Sequence, residues 1–244
     1  TLIVFTSDHG MAFSGGKTTV YEGGLKVPFV VRNPYEENRG VVSDALISHI
    51  DITPSLLDFG GGLDKKTNGP KDPLNADAYW KKRGENLKEN RGPRGGGLTS
   101  YHGKSWINIL GDEDAEHRET IFASHTFHEI QMYYPMRVVR DKKYKLIWNI
   151  AHPLPYPFAS DLWAASSFQA QFRKGMDAPY GRKTVGQYIH RPQFELYDIE
   201  KDPDEARNLA FSTDYADVLK QYQATLKAFQ KEMHDPWIMK WDYE

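Results

Sequence analysis

Leu2-Ile3-Val4-Phe5-Thr6-Ser7-Asp8-His9-Gly10 opens the chain as a short apolar run that ends in a polar turn. Such a run, bounded by turn residues, reads as a buried parallel strand whose carboxyl end opens into a loop. Val27-Pro28-Phe29-Val30-Val31 reads as a second strand, with Pro28 at its first residues or near an edge. Between the two lies a glycine-rich loop, Ser14-Gly15-Gly16-Lys17 and then Tyr21-Glu22-Gly23-Gly24. Open α/β sheets collect ligands beyond the carboxyl ends of their strands, so the polar cluster after Phe5 stands where a site is expected.

Working outward, His49-Ile50-Asp51-Ile52-Thr53-Pro54-Ser55-Leu56-Leu57-Asp58 predicts a helix with Asp51 or Thr53 as N-cap and Pro54 at its first position. From Gly60 to Thr99 the composition turns to Gly, Asn, Lys and Pro, and residues 65–94 hold nine basic against four acidic side chains. That stretch predicts an inserted basic surface loop, with a short helix over 77–83. Beyond it, Thr120 to Ser124, Met136 to Arg140, Tyr144 to Asn149 and Phe194 to Tyr197 predict a small antiparallel sheet, and Asp141-Lys142-Lys143 its hairpin turn. Leu219, Tyr222, Leu226, Phe229 and Met233 recur at helical spacing, so a helix beginning near Ser212 or Thr213 should bury that stripe.

The expected organisation is thus α/β. Residues 1–60 would end a large sheet with flanking helices, 61–99 would be the basic loop, and 100–244 a small α+β subdomain with a terminal helix. Composition narrows the partners. Of 244 residues 39% are hydrophobic, and 31 Lys and Arg stand against 33 Asp and Glu, which gives no basic field to hold nucleic acid. No apolar run approaches the roughly 20 residues of a membrane span. Cysteine is absent, so zinc thiolates, disulfides and cysteine-derived nucleophiles are excluded from these residues. A strand already under way at Thr1 predicts truncation or cleavage upstream.

The block Thr6-Ser7-Asp8-His9-Gly10, with Lys17 nine positions after Asp8 and then Tyr21 to Pro28, resembles the sulfatase family of the alkaline-phosphatase-like superfamily. Two further ordered blocks carry the resemblance: Asp51 to Asp58, and Glu195-Leu196-Tyr197-Asp198 with Asp202-Pro203 and Asn208-Leu209-Ala210. Within the family, Ser124 to Glu129, Tyr134 to Arg137 and His234-Asp235-Pro236-Trp237 are similar to the branch that acts on N-sulfated glucosamine of heparan-type glycans. The resemblance spans nearly the whole chain except the basic loop.

What it implies about chemistry follows residue by residue. A departing sulfate gathers negative charge, so its site needs a divalent cation and cationic side chains aimed at that charge. The resemblance makes Asp8 and His9 metal ligands. The carboxylate of Asp8 suits Ca2+, whereas an imidazole at His9 leaves Mn2+ or Zn2+ open. Lys17 should reach the sulfate as a compact point charge, where relatives can carry Arg. Glu22 is read as securing the glycine-rich loop. His128 and Glu129 resemble the pair that shapes the glucosamine pocket, and His125 is a lesser candidate. Arg137 would orient Glu129, meet a uronate, or form an inter-domain salt bridge.

Sulfatases attack sulfur with a formylglycine hydrate made from Cys or Ser in a Cys/Ser-x-Pro-x-Arg motif, which these residues do not contain. The resemblance assigns that nucleophile to an N-terminal half outside the chain, which alone should show no turnover. Joined to that half, it should release sulfate from sulfated glucosamine in a periplasmic, secreted or lysosomal setting. Alternatives are an O-sulfatase, a phosphonate or phosphate-ester hydrolase of the same superfamily, and a noncatalytic glycan-binding or partner-binding module.

Overall fold

A computed structural model describes residues 1–71, 100–129 and 132–243. In chain order, its strands are β1 (Ile3–Thr6), β2 (Phe29–Arg32), β3 (Leu63–Asp64), β4 (Gly69–Pro70), β5 (Ile121–Phe127), β6 (Tyr133–Arg140), β7 (Tyr144–Asn149), β8 (Pro179–Tyr180), β9 (Lys183–Thr184) and β10 (Phe194–Asp198). Its helices are α1 (Glu22–Leu25), α2 (Ile52–Phe59), α3 (Ser160–Ala164), α4 (Ser166–Phe172), α5 (Val185–Ile189), α6 (Ala216–Glu232) and α7 (Lys240–Tyr243). Chain contacts divide these residues into two compact units, one of 1–3 and 32–118, the other of 4–31 and 119–244. The division differs from the boundaries expected near 60 and 100. Residues 4–31 go with the C-terminal unit because Val20 and Tyr21 are buried in its core.

In that larger unit, β10, β7, β6 and β5 lie side by side in this order, all antiparallel. The four strands forecast for the small antiparallel sheet are all here, whereas β1 and β2 pair in a separate two-stranded sheet and are not the buried strands expected, with Ile3, Phe5 and Val30 each more than half exposed. Alternate residues of the four-stranded sheet feed two separate cores. Met136, Val138, Ile147 and Tyr197 pack on one face with Val20, Tyr21, Tyr156, Leu162 and Phe168. On the other face Val139, Leu146, Trp148 and Leu196 meet Tyr222 and Leu226 of α6. A sheet covered on both sides accounts for strands that read as nearly continuous apolar runs.

The α6 stripe behaves as its spacing predicted. Phe229 stacks on Phe122 of β5 with ring centroids 3.7 Å apart, and Tyr222 and Leu226 are buried. Full burial of such side chains contributes about 2 kcal/mol each.

The smaller unit is organised on Asp51. As forecast, Asp51 stands at the N-cap position of α2, but a 3-10 turn over His49–Asp51 precedes the helix, Pro54 is its third residue rather than its first, and Asp51 makes no side-chain cap bond to it. Asp51 is the third residue of that turn, and its carboxylate turns back to accept the Ser48 N–H at 2.9 Å. The same fully buried carboxylate accepts the Lys104 N–H and the Arg118 guanidinium, and lies 3.3 Å from His117 Nε2. Burial raises its pKa, but these partners outweigh burial and hold Asp51 far below the usual carboxylate range. Nearby, Ser55 Oγ accepts the Trp106 N–H, and Asn68 Nδ2 donates to the carbonyls of Tyr101 and Gly103. Residues 100–106 are thereby fastened to 48–68. Within the expected basic loop, β3 and β4 form a short antiparallel hairpin. The helix forecast over 77–83 falls outside the described residues.

Candidate functional site

The residues singled out from sequence, Asp8, His9, Lys17, Glu22, His125, His128, Glu129 and Arg137, all fall in the larger unit. The loop that follows β1 is built by close backbone approach. Gly10 donates its N–H to Gly24 O at 3.0 Å, and a Cβ on Gly10 would lie 1.7 Å from Gly23 O. Only glycine can stand there. Thr19 Oγ1, 2.7 Å from the carbonyls of both Gly15 and Gly16, closes the loop from inside.

A buried charged network supports the loop from beneath. Glu22 receives a two-pronged contact from Arg140, with both bonds at 3.0 Å, and lies 3.2 Å from Lys145 Nζ. Its backbone N–H donates to Glu205 Oε2 at 2.5 Å. Lys145, wholly buried, also reaches Glu205 Oε1 at 2.9 Å. Burial opposes ionisation of Glu22, but Lys145 and Arg140 more than offset it and lower the pKa. Glu22 is therefore a loop anchor, as the sequence reading held. Beside it, Tyr21 Oη donates to Glu195 at 2.8 Å, Tyr197 Oη donates to the same carboxylate, and Asn149 Nδ2 donates to it at 2.7 Å.

The second support is aromatic. The Arg191 guanidinium, 3% exposed, stacks on the Tyr156 ring 3.6 Å from its centroid, with the rings of Tyr21 and Tyr188 each 5.0 Å away. Tyr156 Oη in turn donates to Thr18 O at 2.6 Å and lies 3.0 Å from Thr18 Oγ1. Thr18 has φ +65°, a left-handed conformation that a β-branched residue adopts only when its surroundings impose it. That strained residue immediately follows Lys17.

Lys17 itself points at a partner that sequence reasoning did not find. Its Nζ lies 2.6 Å from Asp161 Oδ2, with the lysine side chain 21% and the aspartate 46% exposed. The lysine contact lowers the Asp161 pKa, and the Leu162 N–H, 2.8 Å from Oδ1, adds to this. The preceding residue, Ser160, donates its hydroxyl to Glu129 Oε1 at 3.2 Å. Two consecutive residues at the start of α3 therefore bridge Lys17 on one side and Glu129 on the other. Glu129 adopts φ +56° just past the end of β5, and its Oε1 is 3.9 Å from His128 Nε2. His128, Glu129, Ser160, Asp161 and Lys17 thus form one half-exposed arc.

Arg137 lies elsewhere. Its guanidinium forms a two-pronged pair with Asp235, Nε to Oδ2 at 2.5 Å and Nη2 to Oδ1 at 3.0 Å, inside this same unit. Asp235 also accepts the Trp237 N–H and the Gln230 amide. Of the three roles open to Arg137, this geometry is the salt bridge, though not one between domains. His125 Nδ1 is 3.3 Å from Tyr134 O, and burial lowers its pKa.

Asp8 and His9 supply a carboxylate and an imidazole side by side. Asp8 Oδ1 accepts the His9 N–H at 3.0 Å, and its Oδ2 stands 3.4 Å from His9 Nε2. Slight desolvation of Asp8 is outweighed by the His9 N–H and ring, which lower its pKa. His9 Nδ1 lies 2.7 Å from Gly10 O, which leaves Nε2 as the ring nitrogen that faces Asp8 and that a cation could share with it. An oxygen and a nitrogen donor this close fit part of a divalent-cation shell. Among the described residues no group of three or more metal-ligating side chains is gathered, and Ca2+ takes six to eight oxygens. Further ligands would be needed.

Residues 1–62 match the family model described as Sulfatase. The chain is 32% identical over 243 residues to N-sulphoglucosamine sulphohydrolase of Homo sapiens, which covers 98% of this chain and 43% of that protein. It is 27% identical over 237 residues to an ulvan-active sulfatase of Formosa agariphila, covering 96% of this chain and 38% of the relative. The chain thus spans about two fifths of the length of the curated relatives it matches. Among solved structures, one determined in complex with its substrate D-glucosamine-2-N,6-O-disulfate superposes with a TM-score of 0.56 at 20% identity, covering 96% of this chain and 35% of that one. The phosphonate monoester hydrolase of Agrobacterium radiobacter superposes with a TM-score of 0.52 at 20% identity, covering 95% and 35%. These likenesses establish the fold.

Proposed function

Because this chain belongs to the sulfatase family, we propose that the complete protein hydrolyses a sulfate ester or sulfamate on glucosamine of heparan-type glycans. The similarity to a sulphohydrolase of N-sulphoglucosamine over 98% of the chain is the observation that carries this reading. In it, Asp8 and His9 hold a divalent cation, Ca2+ by preference, which would neutralise charge on the sulfuryl oxygens. Lys17 adds a fixed positive charge toward the same oxygens, set by the strained Thr18 and the Tyr156 hydroxyl behind it. His128 and Glu129 receive the sugar, with Glu129 accepting from its hydroxyls. The attacking group, a formylglycine hydrate, belongs to a part of the protein outside these residues.

The test is an assay of the complete protein on glucosamine N-sulfate, glucosamine 6-sulfate and a phosphate monoester, before and after chelation and Ca2+ return. Sulfate release from the N-sulfated sugar, lost with chelator and restored by Ca2+, is the expected result. Release from the 6-sulfate alone would move the protein to the O-sulfatases, and phosphate release alone would overturn the reading.

A further inference from the structure

Every group in the arc between Lys17 and Glu129 has a defined polarity. Lys17 is a cation, Asp161 and Glu129 are acceptors, and Ser160 has committed its proton to Glu129. An ionised carboxylate only accepts hydrogen bonds and repels anions, so Asp161, 2.6 Å from Lys17 Nζ, opposes any bare dianion that approaches the lysine. A sulfated sugar differs from free sulfate in one relevant respect. It carries hydroxyl or amine N–H donors a few bonds from its anionic group.

We propose that Asp161 is a specificity-determining residue of the anion seat: it holds Lys17 between substrates and yields it to a sulfate group whose bearer supplies a hydrogen-bond donor to the freed carboxylate in exchange. The idea rests on the reading of Lys17 as a sulfate-binding residue and adds to it a filter against inorganic sulfate, which is also the reaction's product. Product would then leave readily, because it gives Asp161 nothing. The position of the pair favours this role. The backbone beside Lys17 is held by the Tyr156 bond to Thr18, while the Asp161 side chain is nearly half exposed and can turn to a sugar donor.

The experiment uses the complete protein and its Asp161→Asn, Lys17→Ala and double variants, each produced without conversion of the nucleophile to formylglycine so that the sugar is not hydrolysed, with inorganic sulfate and glucosamine N-sulfate titrated calorimetrically. Asparagine keeps the shape of the side chain and removes its charge. Asp161→Asn should tighten inorganic sulfate by roughly fivefold, the range of an exposed ion pair, without tightening the sugar, so that the preference for sugar over sulfate collapses. In the Lys17→Ala background the gain should fall to the smaller part that comes from lifting the direct repulsion between Asp161 and the anion, since no cation is left to release. Equal tightening for both ligands, no tightening of sulfate, or a gain undiminished by Lys17→Ala would each overturn the proposal. A wild-type protein without turnover, in which Asp161→Asn still changes the sulfate-to-sugar preference, would sink the hydrolytic reading and leave this one standing.

Discussion

The hydroxyl of Tyr156 donates to the carbonyl oxygen of Thr18 across 2.6 Å, and so clamps a left-handed threonine beside the lysine that the sulfate reading depends on. Left-handed backbone at a β-branched residue costs on the order of 1–3 kcal/mol. Tyr156→Phe should therefore cost about 1 kcal/mol of stability, read by denaturant titration, and weaken sulfate binding as the loop relaxes. Thr18→Gly, which accepts that backbone freely, should recover the binding in the Tyr156→Phe background. Unchanged sulfate affinity in Tyr156→Phe would show that the clamp is irrelevant to the loop.

Lys145 holds the buried charged network beneath the loop together. Its ammonium, with no exposure, stands between Glu22 and Glu205. Replacing it with methionine leaves two buried carboxylates facing each other, and the loss should be about 3–5 kcal/mol. Glu205→Gln keeps most of the contacts and should cost far less. A urea midpoint for Lys145→Met close to wild type would contradict the network.

The strands and the terminal helix were legible because their patterns are local. The apolar runs around Val138 and Leu146 and the helical repeat through Leu226 mark burial without any knowledge of distant residues. Lys145 shows where that stops. In an apolar strand it reads as an outward-facing residue, yet it is buried because Glu22 and Glu205 reach it from far along the chain. Asp161 was invisible for the same reason: 144 positions separate it from Lys17, and nothing in Ser160-Asp161-Leu162 marks a site. The cap position of Asp51 was legible but the role of its carboxylate was not, because its partners Lys104, His117 and Arg118 lie far along the chain. Candidate residues in the glycine-rich loop came from a motif. Their support by Arg191 and Tyr156 required the fold.

Arg137 separates structural from substrate roles. Arg137→Lys cannot keep both bonds to Asp235, so the thermal midpoint should fall. Arg137→Leu, which strands Asp235, should cost about 2–4 kcal/mol. With the guanidinium turned to Asp235, KM for a sulfated oligosaccharide should be unchanged in Arg137→Lys. A raised KM at unaltered stability would return Arg137 to the substrate.

His125 gives a pH signature. Desolvation is the main cause of its lowered pKa, with the Tyr134 carbonyl partly opposing it. The unfolded chain therefore takes up this proton first, near the ordinary value of 6.5, and the folded protein only at lower pH. Stability from this group is complete above that value and declines as pH falls toward the folded pKa. The difference in stability between wild type and His125→Gln, followed by denaturation from about pH 8 to pH 5, should shrink in the acid range. A difference independent of pH would assign the effect to packing alone.

The fastening of residues 100–106 to 48–68 by Asp51, Ser55 and Asn68 means that these two stretches do not depend on the covalent chain between them to stay together. A single backbone cut between Lys71 and Ser100 should therefore leave two fragments that co-elute under native conditions and part only in denaturant.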